Sequence, residues 1–443
     1  MKKIDRPEVK TEELPGPKAK GIINDNDRNI LTTTQDIPVV IKRGRGVAIE
    51  DVDGNTFFDF SSGVMVQNVG YSHPRVVKAI KEQAEKFTHF AHSDYYYEVA
   101  NEFAEKLKNV TKGGKKKVGW SNSGSESNEA AMKLIKNHTD NHRFISFSHA
   151  FHGRTQSVLA LTASKPEQQM GFHPVLPETE HVPFPNPYRN IWGIDGYEEP
   201  EELTNRVLEY LEEMVFPHCP PQDIAGIFIE PIQGEGGYVV PPDRFFKKLR
   251  KLADEYNIMI ADDEIQMGVG RTGKFWAIEN FDVEPDTIQA AKAVGGGVPI
   301  GAVIFNEEMD YEELGRHGST FAGNPIACAA GLEVIDIVKD NLKNAEEMGK
   351  YLNKRLSESQ GRYDVIGDVR GIGLAQGIEY VKEDSKEPAK HIRDNITREA
   401  LKKGLLLLGC GESGIRFAPP VNITEEEIDV AVEILDQATK EVV

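Results

Sequence analysis

The sequence predicts an α/β protein: a large, mostly parallel sheet with helices on both faces, joined to a smaller α+β lobe. Through the middle of the chain, short apolar runs of strand length alternate with amphipathic helical patterns. Three of those runs end at, or just before, a charged residue, and the last hundred residues change character. At 443 residues the chain is too long for one simple core, so at least two lobes are expected.

Taken in order, residues 1 to about 25 are polar and proline-punctuated and read as an arm. From Val39, VVIKRGRGVAIEDVDGNTFFDF gives two short strand patterns joined at the turn Asp53-Gly54-Asn55. A helix is expected from Ser72-His73-Pro74, with Val76, Val77, Ile80 and Ala84 on its buried face. The run Ile227-Phe228-Ile229 predicts a buried strand ending at Glu230. A helix opened by Pro241-Pro242 follows, with Phe245, Phe246, Leu249, Leu252 and Tyr256 at helical spacing. Ile258-Met259-Ile260-Ala261 predicts a strand ending at Asp262-Asp263, and Thr287-Ile288-Gln289-Ala290 one ending just before Lys292. Parallel sheets bind ligands at the carboxyl ends of their strands, so Glu230, Asp263 and Lys292 are expected in one site. A helical stretch from about Pro325 leads to further helix, strand-like GIGLAQGIEYV and GLLLLGC, and a closing helix from Thr424. This is the smaller lobe, shared with the N-terminal segment.

Charge and cysteine content exclude several functions. Lys and Arg number 52 against 71 Asp and Glu, a net charge of −19 that repels polyanions. The densest basic cluster, Lys115, Lys116 and Lys117, suits a solvated turn, so no nucleic-acid partner is expected. Cys219, Cys328 and Cys410 are scattered, giving neither a disulfide framework nor a zinc site. The start MKKIDRPEVKTEELPGPKAKG lacks an apolar signal core, and no apolar stretch is long enough to span a bilayer; a cytoplasmic protein without a membrane partner is expected.

Several short motifs carry chemistry. Asn122-Ser123-Gly124-Ser125, opening a helix, is either a phosphate cradle at the positive end of the helix dipole or an ordinary serine-capped helix. Asp262-Asp263-Glu264 ends a strand without the further ligands a metal needs; one buried carboxylate there suits a cationic nitrogen of a ligand. Lys292 in AAKAVGGG is a surface charge or a desolvated amine able to attack a carbonyl. Gly268-Val269-Gly270-Arg271-Thr272-Gly273 satisfies GxGxxG, but no good helix pattern follows, which argues against a dinucleotide-binding turn. His149 and His152 lack a third metal ligand, so no metal is expected.

The motifs DVDGNTFFDFSSGV, SNSGSESNEAA, HAFHGRT, IEPIQGEGG, DDEIQMGVGRTG, AAKAVGGG, GSTFAGNP and IRFAPP occur in this order. Together they make the chain, from about Val39 onward, similar to class III aminotransferases, the pyridoxal-phosphate (PLP) group that includes 4-aminobutyrate, ornithine and acetylornithine aminotransferases. The resemblance implies fold type I of the PLP-dependent transferases. Residues 71–325 would be the large PLP-binding domain, 326–443 the C-terminal small domain, and 1–70 the N-terminal arm with part of the small domain. It implies that Lys292 carries PLP as a Schiff base and then shuttles the substrate proton, while Asp263 pairs with the pyridinium nitrogen. Gln266 would bond the ring hydroxyl, Ile265 and Phe151 would pack on opposite ring faces, and His152 and Glu230 would join the cofactor pocket. Gly124 and Ser125 would hold the phosphate, with Thr320 of a neighbouring subunit completing it in a homodimer or larger homo-oligomer.

The same resemblance implies substrate contacts. Arg154 would bind a carboxylate remote from the amine, and Arg416 the α-carboxylate of a 2-oxo acid. Glu235 would neutralise Arg416 when the donor has no α-carboxylate, and Val64 would face the substrate. Expected is ping-pong transfer from an ω-amino acid such as 4-aminobutyrate to 2-oxoglutarate, with ornithine, lysine or acetylornithine as other donors. Some relatives are amino-acid racemases that often carry aspartate at the position of Glu235, so a racemase is the alternative. Met267, where many relatives have a small residue, would alter the width of the pocket; Phe151 for tyrosine and Ser125 for threonine are milder departures.

Overall fold

The computed structural model describes residues 4–383 and 385–443. The N-terminal segment is more than an arm. Helix α1 (Pro17–Asn29) forms because Asp53, far along the chain, accepts hydrogen bonds from the Lys18 and Ala19 N–H groups at 2.9 Å each. A cap supplied from a distant residue leaves no local signal. Strands β1 (Ile41–Arg45), β2 (Ala48–Asp51) and β3 (Thr56–Asp59) follow, three where two were expected, because Gly46 at φ +58° turns the chain inside the first pattern.

A single turn, α2 (Ser62–Met65), runs through left-handed backbone from Ser62 to Met65. The Asp59 carboxylate fixes it by accepting from Ser61 N, Gly63 N and Tyr71 Oη at 2.7, 2.8 and 2.6 Å. Helix α3 (Pro74–Lys86) starts as expected, but it buries Val76 and Gln83 and leaves Ala84 exposed, so the apolar face reads correctly only over its first turns. Helix α4 (Glu98–Asn109) packs beside β4 (Lys116–Ser121).

The large sheet has seven strands. After β4 come α5 (Gly124–Thr139), β5 (Arg143–Phe147), β6 (Thr179–Val182), α6 (Pro200–Tyr210), β7 (Ile224–Ile229), α7 (Phe245–Tyr256), β8 (Met259–Asp263), β9 (Thr287–Ala290) and β10 (Gly301–Asn306). Their order is β4-β10-β9-β8-β7-β5-β6, and only β10 runs against its neighbours. All six residues of β7 are buried, as a strand covered on both faces requires. Helix α7 buries Phe245, Phe246, Leu249 and Leu252, while Pro241 and Pro242 lie outside it.

Helix α8 (Pro325–Gln360) is one unbroken element, capped by Asn324 accepting from Ile326 and Ala327 N–H. Strands β11 (Ile366–Ile372) and β12 (Ala375–Tyr380) lead through α9 (Lys390–Lys402) to β13 (Leu405–Leu406), β14 (Leu408–Cys410) and β15 (Gly414–Phe417), and α10 (Glu425–Val442) closes the chain. An antiparallel sheet of order β11-β12-β15-β14 forms, while β13 pairs in parallel with β3, so both chain ends contribute to one sheet.

The GxGxxG segment belongs to the junction of these units. No α-helix follows it, only a 3₁₀ turn at Ala277–Phe281. Its Arg271, fully buried, donates to Asn68 Oδ1 at 2.5 Å and to the carbonyls of Leu374 and Pro419. Among the described residues, no helix is long and apolar enough to cross a membrane.

Candidate active site

Strands β7, β8 and β9 end side by side, and the residues at or just beyond their ends meet at one cavity. Glu230, Asp263 and Lys292 line it together with Gly124, Ser125, Phe151, His152, Ile265 and Gln266. Ser123, from the expected phosphate-cradle motif, and Gly153, not singled out from sequence, line it as well.

The three-acid run divides because side chains alternate along a strand. Asp263 faces the cavity. Its Oδ2 lies 2.7 Å from His152 Nδ1 and accepts from Asn128 Nδ2 at 2.9 Å, and Oδ1 accepts from Ile265 N at 3.1 Å. Asp262 and Glu264 form a separate buried acid pair. Burial and the neighbouring carboxyl raise Asp262 well above the usual range, and burial pushes Glu264 up to about 8. Asn128 also holds the His152 carbonyl at 2.7 Å. It sits four residues after Gly124, one turn along α5 on the same face, which is the signal that could have found it.

Glu230 braces two loops, accepting from Phe151 N at 2.9 Å and Gly234 N at 2.8 Å. Burial pushes its carboxyl up to about 7. Lys292 follows β9 at φ +47°, an uncommon conformation for a non-glycine residue that persists only where the surroundings enforce it. Burial lowers its amine, with Glu235 the largest opposing influence. It makes no ion pair among the described residues.

At the start of α5, Ser123 accepts from Glu126 N, and the first N–H groups of the helix have no intrahelical partner. The opposing loop comes very close. A Cβ at Gly124 would lie 2.8 Å from Ile265 Cδ1, and one at Gly153 only 2.3 Å from Ser125 Oγ. On the cavity wall, the Oε1 of the buried Gln266 has no partner.

A second charged cluster stands beside this floor. Arg416 Nη1 and Glu235 Oε1 are 2.5 Å apart, with only 7% and 15% of their side chains exposed. Burial alone would raise Glu235, but Arg416 foremost, with Lys165 and Lys292, outweighs it and holds the carboxyl below its usual value. Lys165 Nζ lies 3.8 Å from Glu235 Oε2.

The remaining expected residues lie outside the cavity of the single chain. Arg154 is exposed, with its guanidinium 5.7 Å from the centre of the Phe151 ring. Val64, 44% exposed, sits at φ +63° in the α2 turn. Thr320 is exposed, next to Ser319, whose hydroxyl accepts from Asn122 Nδ2 at 2.9 Å. Met267 is fully buried in the main apolar core and lines no part of the cavity, which corrects the expectation that it sets pocket width. His152 is occupied by Asp263 rather than arranged with His149.

Comparison with known proteins agrees with this geometry. A family model described as "Aminotransferase class-III" matches residues 31–439. The alanine/serine racemase of Pyrococcus horikoshii is 42% identical over 96% of this chain and 91% of its own length. A probable 4-aminobutyrate aminotransferase of Bacillus subtilis is 36% identical over 89% of this chain and 91% of its own. Among solved structures, a PLP-bound amine transaminase from an uncultivated Pseudomonas species superposes with TM-score 0.86 at 28% identity, covering 94% of this chain and 98% of that one.

Proposed function

We propose a specific reaction for this chain, which belongs to the class-III aminotransferase family and takes pyridoxal phosphate as cofactor: transfer of the amino group of an ω-amino acid of the 4-aminobutyrate type to 2-oxoglutarate. The cavity has the features such a cofactor needs. The unpartnered Gln266 Oε1 offers an acceptor to a ring hydroxyl, and the glycine-lined start of α5 leaves backbone N–H groups free for a phosphate.

When bound, the cofactor supplies an electron sink for the carbon that carries the amine. The protein supplies the rest. Asp263, oriented by His152, Asn128 and the Ile265 N–H, would hold a proton at the ring nitrogen. Phe151 and Ile265 would enclose the ring, and Lys292 Nζ, its amine lowered by burial, would carry the cofactor and then move the proton at the substrate carbon. Residues 71–325 would form the cofactor-holding domain, with 326–443 and part of 1–70 forming the smaller one. In a homodimer, the exposed Thr320 of a neighbouring subunit would complete the phosphate site.

The observation that carries the donor class is the Glu235–Arg416 pair. While closed it neutralises the arginine, which suits a donor with no α-carboxylate. Opened, it frees a buried guanidinium for the α-carboxylate of the 2-oxo acid. Arg154 would meet the donor's remote carboxylate, and Val64 would border the substrate. The same pair argues against a second base: a general base works best with a pKa near the working pH, whereas Arg416 holds the Glu235 carboxyl below its ordinary value.

A racemase is the second reading, favoured by the 42% identity to an alanine/serine racemase and by the influence of Glu235 on Lys292. One experiment separates the two. The PLP-loaded enzyme is mixed, without any oxo acid, with 4-aminobutyrate, ornithine, acetylornithine, lysine or alanine, and followed by cofactor absorbance and chiral chromatography. Loss of the cofactor's resting absorbance, restored by 2-oxoglutarate, supports transfer. Unchanged absorbance with D-alanine accumulating from L-alanine overturns it.

A further inference from the structure

The Glu235–Arg416 pair has a third member. We infer that Lys165 is a positioning residue for it, receiving the Glu235 carboxylate when Arg416 turns to the α-carboxylate of a 2-oxo acid. This rests on the transfer reaction proposed above.

The two oxygens of Glu235 already face different cations: Oε1 is 2.5 Å from Arg416, and Oε2 is 3.8 Å from Lys165. The backbone around Glu235 is fixed. Its carbonyl accepts from Gly411 N at 2.7 Å, and Gly234 N donates to Glu230 at 2.8 Å. Beyond it, the Gly237 carbonyl accepts twice from Arg370, at 3.1 and 2.7 Å. Arg370 is in turn clamped by Asp368 at 2.7 Å and Glu379 at 2.6 Å. With the main chain held at these points, the carboxylate leaves Arg416 by rotation of its own side chain.

It needs somewhere to go. Glu235 is 85% shielded from solvent, and a carboxylate released there without a partner carries the penalty of an unpaired buried charge. Lys292 is committed to the cofactor. Lys165 has a half-exposed, flexible stem and no other ion pair among the described residues, so its amine can close the remaining distance. Its pairing lowers the cost of opening and therefore favours ligands that bear an α-carboxylate.

The test uses the holoenzyme and compares half-reactions. In Lys165→Met, half-saturation by 2-oxoglutarate, and by glutamate as donor, is expected to rise about five- to tenfold, the size of one partly screened charged contact. The half-reaction with 4-aminobutyrate, which uses the closed pair, should stay within about twofold, and Lys165→Arg should restore the oxo-acid half. If wild type turns over 2-oxoglutarate and Lys165→Met does so with the same half-saturation, the role of Lys165 is overturned and the transfer reading stands. If both halves fall together, the positioning role is likewise overturned. If wild type itself fails to use 2-oxoglutarate, the transfer reading falls and this inference falls with it.

Discussion

Replacing Glu235 by glutamine isolates the charge of the pair from its shape. The amide keeps the volume and one acceptor oxygen beside Arg416 Nη1, but Arg416, 7% exposed, loses its counter-charge. A hydrogen bond to a charged group contributes about 1.5–3 kcal/mol, which corresponds to roughly ten- to a hundredfold in an equilibrium constant. The 2-oxo acid then no longer has to displace a carboxylate. Half-saturation by 2-oxoglutarate should accordingly fall by about tenfold, a conservative share of that range, because the amide still competes for the arginine. The 4-aminobutyrate half-reaction should slow by about ten- to a hundredfold, since a donor with no α-carboxylate now faces an uncompensated cation. Global stability should drop by about 1–3 kcal/mol for the buried charge left short of its partner. Stopped-flow absorbance on each half-reaction, with urea denaturation alongside, measures all three. Equal changes in both halves, or none in either, would refute the idea that this pair discriminates between the two ligands.

Two further perturbations probe the cofactor floor. Gly153→Ala places a Cβ 2.3 Å from Ser125 Oγ and 2.9 Å from Val158 Cγ1 at φ +143°, so Ser125 must move. A loss of about 1–3 kcal/mol in stability is expected, with weaker PLP binding in an absorbance titration; unaltered PLP affinity would mean that the loop does not shape the phosphate end. For Glu230, raised from 4.5 to about 7, the folded chain binds the proton more tightly than the unfolded one. Its stabilising share is therefore complete below about pH 4.5 and is lost as pH rises through about 7, amounting to about 3 kcal/mol. Denaturation at pH 5 and pH 8 should show Glu230→Gln with a flatter pH dependence than wild type, and equal slopes would contradict the burial argument.

What could be read from the sequence, and what could not, follows from how local each cause is. The strands ending at Glu230, Asp263 and Lys292 were legible because a buried parallel strand needs a continuous apolar run, and the first polar residue after it marks where ligands bind. The start of α3 was legible because proline at the first helical position is a local signal. Helix α1 was not, although Pro17 opens it in the same way, since it buries only Ala19 and so shows no apolar face, and its capping carboxylate comes from Asp53. Met267 misled because, directly after Ile265 and Gln266 of the cavity wall, the chain turns and buries it in the apolar core instead. Asn128 was overlooked as one more polar helix residue; its importance depends on β8 arriving opposite α5, a tertiary fact. Lys165 was overlooked for a related reason, being 70 residues from Glu235 and joined to it only by folding.

The site has two layers that bear differently on the reaction. Its floor, Asp263 and Lys292, would serve transfer and isomerisation alike, so the fold does not choose between them. On the proposed reading the choice would lie in the charges beside the floor. An ω-amino donor leaves Glu235 on Arg416, where its carboxyl is too acidic to take a proton near neutrality. An α-amino acid would bring its own carboxylate to Arg416 and release Glu235 in a poorly solvated wall, where burial, no longer offset by Arg416, acts to raise its pKa. On this argument Lys165 would do more than ease opening: by taking the freed carboxylate it would keep Glu235 an anion and a weak base. On the proposed reading, Glu235 and Arg416 would then both select the substrate and bias the chain toward moving the amino group rather than inverting the carbon that bears it.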